Sequence, residues 1–273
     1  MTVDYIQPTA KWWDDRCVAE QGYLRVMNKT FAFNPQEMLA ETSRQKQFIK
    51  DMPIPWNRFE MAEIGGKPHH MEQVTSTDDV VLDVGCGIGR LTQFLAEMGA
   101  DCFGLDWSER MIGVADRNFP SLKWAVGDAR DGSMFDEGAF GATFEWCVFC
   151  HLTDERSWLE AVRNMRRWAS KRAIFVDFLE GGQDSTYTRQ WGKSRLVDAM
   201  LPWVPIYEAD YISRMGAKVL DAFQALVFAP AENDALVIDE KSAASELAEP
   251  ENIPIELPEA VAAVRRVARG RGC

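Results

Sequence analysis

Val80-Val-Leu-Asp-Val-Gly-Cys-Gly-Ile-Gly-Arg-Leu-Thr92 is the stretch that decides the fold of this chain. An apolar run, Val80 to Val84, ends in three glycines spaced Gly85-x-Gly87-x-Gly89, and an amphipathic run, Arg90 to Met98, follows at once. That order reads as a buried strand, a tight loop and a helix start. Glycines let a loop backbone approach a ligand closely, and a helix N-terminus offers unpaired N–H groups. Nucleotide-like cofactors bind at such places. The dinucleotide pattern G-x-G-x-x-G would need glycine at position 90, where this chain has Arg90.

The flanks carry the reading further. Asp83 sits inside the strand just before the loop. The next apolar run, Cys102-Phe-Gly-Leu105, ends in Asp106, where an acid can take two ribose hydroxyls. A third run, Leu122 to Val126, ends in Gly127-Asp128-Ala129. Three successive strand ends therefore carry an acid or a glycine loop on one edge of a sheet. Strands are expected over 80–84, 102–106, 122–126, 142–149 and 172–178, with helices over 90–98, 108–117 and 154–169. Such alternation implies a parallel sheet with right-handed crossovers.

Four motifs stand in order: D-V-G-C-G-I-G from Asp83, G-L-D-W-S-x-x-M-I from Gly104, V-G-D-A from Val126, and F-G-A-T-F-E-W-C-V-F-C-H-L from Phe140. With them the chain resembles the class I S-adenosylmethionine (SAM) methyltransferases, over roughly Val80 to Phe178. One departure is visible. The family's fourth strand usually opens Phe-Asp, and here it opens Phe140-Gly141, which alters a loop more than the cofactor site.

The resemblance implies an α/β, Rossmann-like fold. Its seven-stranded sheet is ordered 3-2-1-4-5-7-6, with the last strand antiparallel. It also implies N-terminal helices that cover the cofactor and a helical lid. On that reading residues 1–75 form the helical cap and 76–240 the SAM-binding domain, with a lid at 184–215; 241–273 form an acidic tail with a short terminal helix. Gly85, Gly87 and Gly89 would face the methionine part of SAM. Asp83 would orient its amino group, Asp106 would accept the ribose hydroxyls, and Trp107 would lie against adenine. Asp128 and the Ala129 N–H would bind the adenine edge. Glu145 would take the SAM ammonium or a substrate proton. His151, just beyond the fourth strand, is placed as a general base, since imidazole titrates near neutral pH.

Trp146, Tyr187, Trp191 and Tyr211 are the candidate substrate-pocket residues. Trp146 stands at the exit of the fourth strand, and the other three belong to an aromatic segment, Asp184 to Met215, expected to form one or two helices over the mouth of the sheet. Gly216 to Phe228 reads as the last strand pair, with Leu236-Val-Ile238 as a further candidate. Ahead of the sheet, helices are expected over Lys11 to Met27 and Pro35 to Met52.

Composition narrows the function. With 273 residues, 47% of them hydrophobic, the chain is long enough for one α/β domain with additions. The net charge of −12 repels a polyanion, so nucleic acid is not the expected partner. Arg163, Arg166 and Arg167 read as a solvated helix face. No apolar run reaches the ~18 residues of a membrane span, and the N-terminus lacks a secretory pattern, so a cytoplasmic protein with no membrane partner is expected. The six cysteines are expected to be reduced thiols. Cys147-Val-Phe-Cys150-His151 has the spelling of a c-type haem site, but it falls in a strand and its exit. Zinc would need further ligands at metal spacing, and only His69-His70 remain, so no metal is expected. The expected activity is methyl transfer from SAM to a small molecule, at oxygen or nitrogen and less readily at carbon. A protein or RNA methyltransferase and a non-catalytic SAM-binding module are the rivals. Self-association into a homo-oligomer is left open.

Overall fold

The structure is a computed structural model that describes residues 6–17, 35–52, 63–64, 67–68, 80–179, 186–215 and 218–231. Seven strands make one sheet: β1 (Val80–Val84), β2 (Asp101–Asp106), β3 (Lys123–Val126), β4 (Phe140–Trp146), β5 (Ala169–Asp177), β6 (Trp203–Met215) and β7 (Lys218–Pro230). Their spatial order is β3-β2-β1-β4-β5-β7-β6, the 3-2-1-4-5-7-6 arrangement expected from the sequence. β1 through β5 are parallel, and β7 runs antiparallel to both β5 and β6. A separate two-residue ladder pairs Glu63–Ile64 with Lys67–Pro68.

Both faces of the central strands are covered, which is why they read as continuous apolar runs. Side chains alternate across the sheet. Val81, Phe144, Ile174, Val176 and Val227 point to one face, where Phe94 and Leu95 of α3 (Arg90–Glu97) and Ile49 of α2 (Pro35–Asp51) pack on them. Leu82, Val84, Phe175 and Phe228 point to the other, against α5 (Glu155–Trp168) and α6 (Lys193–Met200). Trp158, Ala161, Val162, Met165 and Trp168 form the buried stripe of α5 at helical spacing. Asp154 caps that helix by accepting the Ser157 N–H at 2.9 Å. Arg163 and Arg167 stay exposed on its outer face. The remaining helices are α1 (Ala10–Arg16) and α4 (Glu109–Asn118).

One segment differs from its sequence reading. Of the stretch expected to be helical over 184–215, only Lys193–Met200 is a helix, and Trp203–Met215 is a 13-residue edge strand. Val204, Ile206, Tyr207, Tyr211 and Ile212 are β-branched or aromatic types that suit a strand. Along it Tyr211 and Ser213 are buried while Glu208, Asp210 and Ile212 are exposed, a period of two. Pro205 is tolerated because the strand lies at an edge, and the register shifts between Pro205 and Tyr207. β4 also stops earlier than expected, at Trp146. The expected Leu236–Ile238 strand, the end of the first helix past Cys17 and the whole tail lie outside the described residues.

Candidate active site

The site is built at the C-terminal ends of β1, β2 and β4. Gly85, Gly87 and Gly89 have φ of 73°, 56° and 81°, the left-handed region that favours glycine. The N–H groups of Gly85 and Cys86 donate to the Leu105 carbonyl at 2.7 and 3.0 Å, which ties the loop to β2. A Cβ at Gly85 would lie 2.5 Å from Val148 Cγ2, and one at Gly89 would lie 2.4 Å from the Trp124 ring. The loop is therefore pressed against the segment that follows β4.

Two buried acids flank it. Asp106 Oδ2 accepts the Gly87 N–H and Oδ1 accepts the Ser108 N–H, each at 2.9 Å. Burial pushes its carboxyl up to about 6, while backbone N–H bonds from Ser108, Gly87 and Trp107 pull the other way. Asp83 accepts the Thr92 hydroxyl at 2.5 Å, and burial pushes its carboxyl up to about 7. Thr92, fully buried in the first turn of α3, carried no sequence signal.

Beyond β3, Asp128 is engaged by its neighbour. Its Oδ1 accepts the Arg130 backbone N–H at 2.9 Å and Nε at 2.8 Å, and its Oδ2 accepts Nη2 at 2.5 Å. The same guanidinium lies 5.3 Å from the Trp107 ring centre. Arg130 thus bridges the two residues expected around adenine, and the sequence reading missed it. The Ala129 carbonyl accepts Asn164 Nδ2 at 2.9 Å.

The other wall follows β4. Glu145 is fully buried; its Oε2 accepts the Val148 N–H at 3.1 Å, and its Oε1 has no hydrogen-bond partner among the described residues. Burial drives this carboxyl well above its ordinary range, and the charge of Asp177 adds to the effect. Asp177, at the end of β5, accepts the Cys150 N–H at 2.7 Å. It was also missed, although an acid closing a strand was the signal used for Asp106. Cys147 takes φ +56°, a left-handed conformation costing about 1–2 kcal/mol for a residue with a Cβ. This turn sends the chain into one 3-10 turn, Phe149–His151. His151 Nδ1 lies 2.9 Å from the Tyr187 carbonyl. A carbonyl only accepts, so in the neutral ring Nδ1 carries the proton and Nε2 keeps a lone pair.

α1 lies over this wall. Trp13 meets the His151 ring edge-on at 5.0 Å, and Trp12 lies 5.3 Å from Tyr187. Ser108 Oγ donates to Asp14 at 2.5 Å, which fastens α1 to the start of α4. Trp146 packs on Phe48, Tyr211 and Phe223. The Tyr211 hydroxyl donates to Glu41 at 2.6 Å; burial and then that bond raise its pKa, so it holds its proton. Trp191 stands apart from this group. It is stacked on Trp158 at 4.9 Å in the core, with Nε1 donating to the Leu152 carbonyl at 3.0 Å.

Residues 81–172 match the family model described as a methyltransferase domain. Over this region the chain is similar to methyltransferase domains. The magnesium protoporphyrin IX methyltransferase of Synechocystis PCC 6803, solved with bound SAH, superposes on the fold with a TM-score of 0.58. That superposition is at 13% identity and covers 81% of this chain and 99% of that one. An uncharacterized methyltransferase of Synechocystis sp. is 43% identical over 60 residues, which is 22% of this chain and 28% of that protein. A ubiquinone biosynthesis O-methyltransferase of Paraburkholderia phymatum is 31% identical over 94 residues, 31% of this chain and 38% of that protein. The chain thus spans only 28% and 38% of the length of these two relatives. The matched region contains the glycine loop, both flanking acids, Asp128, Glu145 and His151.

Proposed function

We propose that this chain transfers a methyl group from SAM to a small-molecule acceptor, at oxygen or nitrogen. The observation that carries the reading is the Asp106 carboxylate, fixed by the Gly87 and Ser108 N–H groups beside a left-handed glycine loop. As an acceptor-only group, the carboxylate suits ribose hydroxyls. The residues fit an adenosyl group with an ammonium: Asp106 and Asp83 are acceptors, the glycine loop gives close backbone approach, and Trp107 offers an aromatic face. Asp128 would take the adenine amino group only by sharing lone pairs with Arg130, and Ala129 would offer its N–H.

SAM supplies a methyl group already activated by its sulfonium, so the protein's work is mainly to hold donor and acceptor in line. Glu145 and the glycine loop lie on the donor side. Trp146 at the end of β4, with His151 and Tyr187 beyond it, would form the acceptor side, where His151 would take an acceptor proton. Trp191 and Tyr211 support this wall from the core. The small-molecule acceptor is favoured by the net charge of −12, by the cover that α1 forms over the site, and by the name of the ubiquinone-pathway relative. Among the described residues no helix is long and apolar enough to cross a membrane.

Calorimetry with S-adenosylhomocysteine (SAH) tests the cofactor site. Asp106→Ala is expected to lose about 1–3 kcal/mol of binding, the scale of charge-assisted hydrogen bonds. Unchanged affinity would remove Asp106 from the site. Methyl transfer from labelled SAM should appear in a small-metabolite fraction; label in RNA or protein, or tight SAM binding with no transfer, would overturn the acceptor class.

The same acids set a pH dependence. Asp106 accepts hydroxyls best when ionised, and its pKa of about 6 is raised above the ordinary carboxylate value. Ionisation is therefore present above pH 6 and lost below it. SAH affinity is expected to fall by about tenfold per pH unit below 6. Asp83, at about 7, acts in the same direction. A flat profile from pH 8 to 5 in calorimetry would exclude both.

A further inference from the structure

Cys147, Cys150 and His151 converge at the wall beyond β4. Their ligand atoms all lie within 4.8 Å of one another, and the two sulfurs are 3.7 Å apart. A tetrahedral ion with metal–sulfur bonds of about 2.3 Å sets two thiolates about 3.8 Å apart, so the pair already has the spacing of a bound zinc-like cation. The histidine nitrogen needs to stand about 3.6 Å from each sulfur, a closure of at most about 1.2 Å. The tautomer also suits a metal. His151 Nδ1 is engaged by the Tyr187 carbonyl, and metal-binding imidazoles characteristically give their other N–H to such a partner.

The backbone that presents these groups is held from several sides. Cys147 donates its N–H to the Val176 carbonyl at 2.8 Å, Val148 to Glu145, and Cys150 to Asp177. Cys147 keeps a left-handed φ within this frame. Cys150 is buried, whereas Cys147 and His151 are half-buried, which leaves a side for entry.

We propose that Cys147, Cys150 and His151 form a three-ligand site for a zinc-class divalent cation, with a fourth position open. Three protein ligands with one open position is the pattern of catalytic rather than structural zinc. The site adjoins the glycine loop, since Val148 is the residue that a Cβ at Gly85 would strike. An acceptor hydroxyl or thiol at the open position would release its proton to solvent more readily under the metal's charge. That last role rests on the methyl-transfer reading, and in the metal-bound enzyme it replaces His151 as the base, since the ring's one acceptor nitrogen is then a ligand; the metal site itself does not rest on that reading. The sequence argument against metal asked for a second Cys/His pair at ligand spacing; a three-ligand site with one open position does not require that pair.

Cobalt(II) is the probe, titrated into the full chain under a phosphine reductant. Thiolate-to-cobalt charge transfer is expected in the near ultraviolet, saturating at one ion per chain and displaced by zinc. Cys147→Ser and Cys150→Ser should each abolish it, and Cys17→Ser should keep it. Circular dichroism checks that the buried Cys150 variant folds, and the half-buried Cys147 variant decides the matter if it does not. His151→Ala should weaken cobalt binding by more than the ~10–100-fold typical of a group one shell out from the metal. Asp106→Ala should lose SAH affinity and keep the cobalt band, so failure of the metal site and failure of the cofactor reading are separable. No charge-transfer band, a band that survives both serine variants, or a Cys147–Cys150 disulfide in place of metal uptake would overturn the proposal.

Discussion

Gly85→Ala is expected to destabilise the protein by about 2–5 kcal/mol, by two separable routes. Alanine at φ +73° costs about 1–2 kcal/mol in backbone strain. Its Cβ would also stand 2.5 Å from Val148 Cγ2, an overpacking that costs about 1–3 kcal/mol. Denaturant unfolding measures the total. Adding Val148→Ala should recover most of the steric part and none of the backbone part. SAH affinity should fall with the single change, because the loop moves away from β2. A variant within about 0.5 kcal/mol of the parent would mean that the loop and the segment after β4 are not in contact.

His151→Ala should slow methyl transfer by about 10²–10⁴-fold, the usual worth of general acid–base catalysis. With Nδ1 held by the Tyr187 carbonyl, Nε2 is the acceptor nitrogen of the neutral ring and carries its one lone pair. SAH affinity should hardly change, since His151 is not among the expected cofactor contacts. A drop in kcat with unchanged SAH binding would place His151 on the acceptor side. Measuring the parent with zinc and after chelation shows whether that lone pair serves as base or as ligand. Unaltered turnover in the variant would leave His151 as a support for the Tyr187 carbonyl.

The sheet was legible because its signals are local. Val80–Val84 is a continuous apolar run that ends in glycines, and glycines at 85, 87 and 89 mark left-handed backbone. The helix expected over 154–169 is α5, whose stripe from Trp158 to Trp168 has helical period. Trp203–Met215 was harder. Its aromatic residues fit a helix or a strand by spacing, and pairing with β7, 13 residues long, decided for the strand. Trp191 was unreadable for a related reason. An aromatic side chain looks the same in sequence whether it lines a pocket or stacks on Trp158 in the core.

By itself the sequence determined the first five strands, the glycine loop and the acids at the strand ends, because each depends on residues adjacent in the chain; the strand order came only through the family resemblance. Only the tertiary structure decided how those groups are partnered. Thr92 on Asp83, Arg130 between Asp128 and Trp107, Asp177 on the Cys150 N–H and Asp14 on Ser108 are such partners. Most of these pairings join separate elements. The meeting of Cys147, Cys150 and His151 also waited on the fold. Three residues close in sequence turn their ligand atoms to one point only where β4 ends, Cys147 takes a left-handed turn and two buried carboxylates hold the backbone that follows.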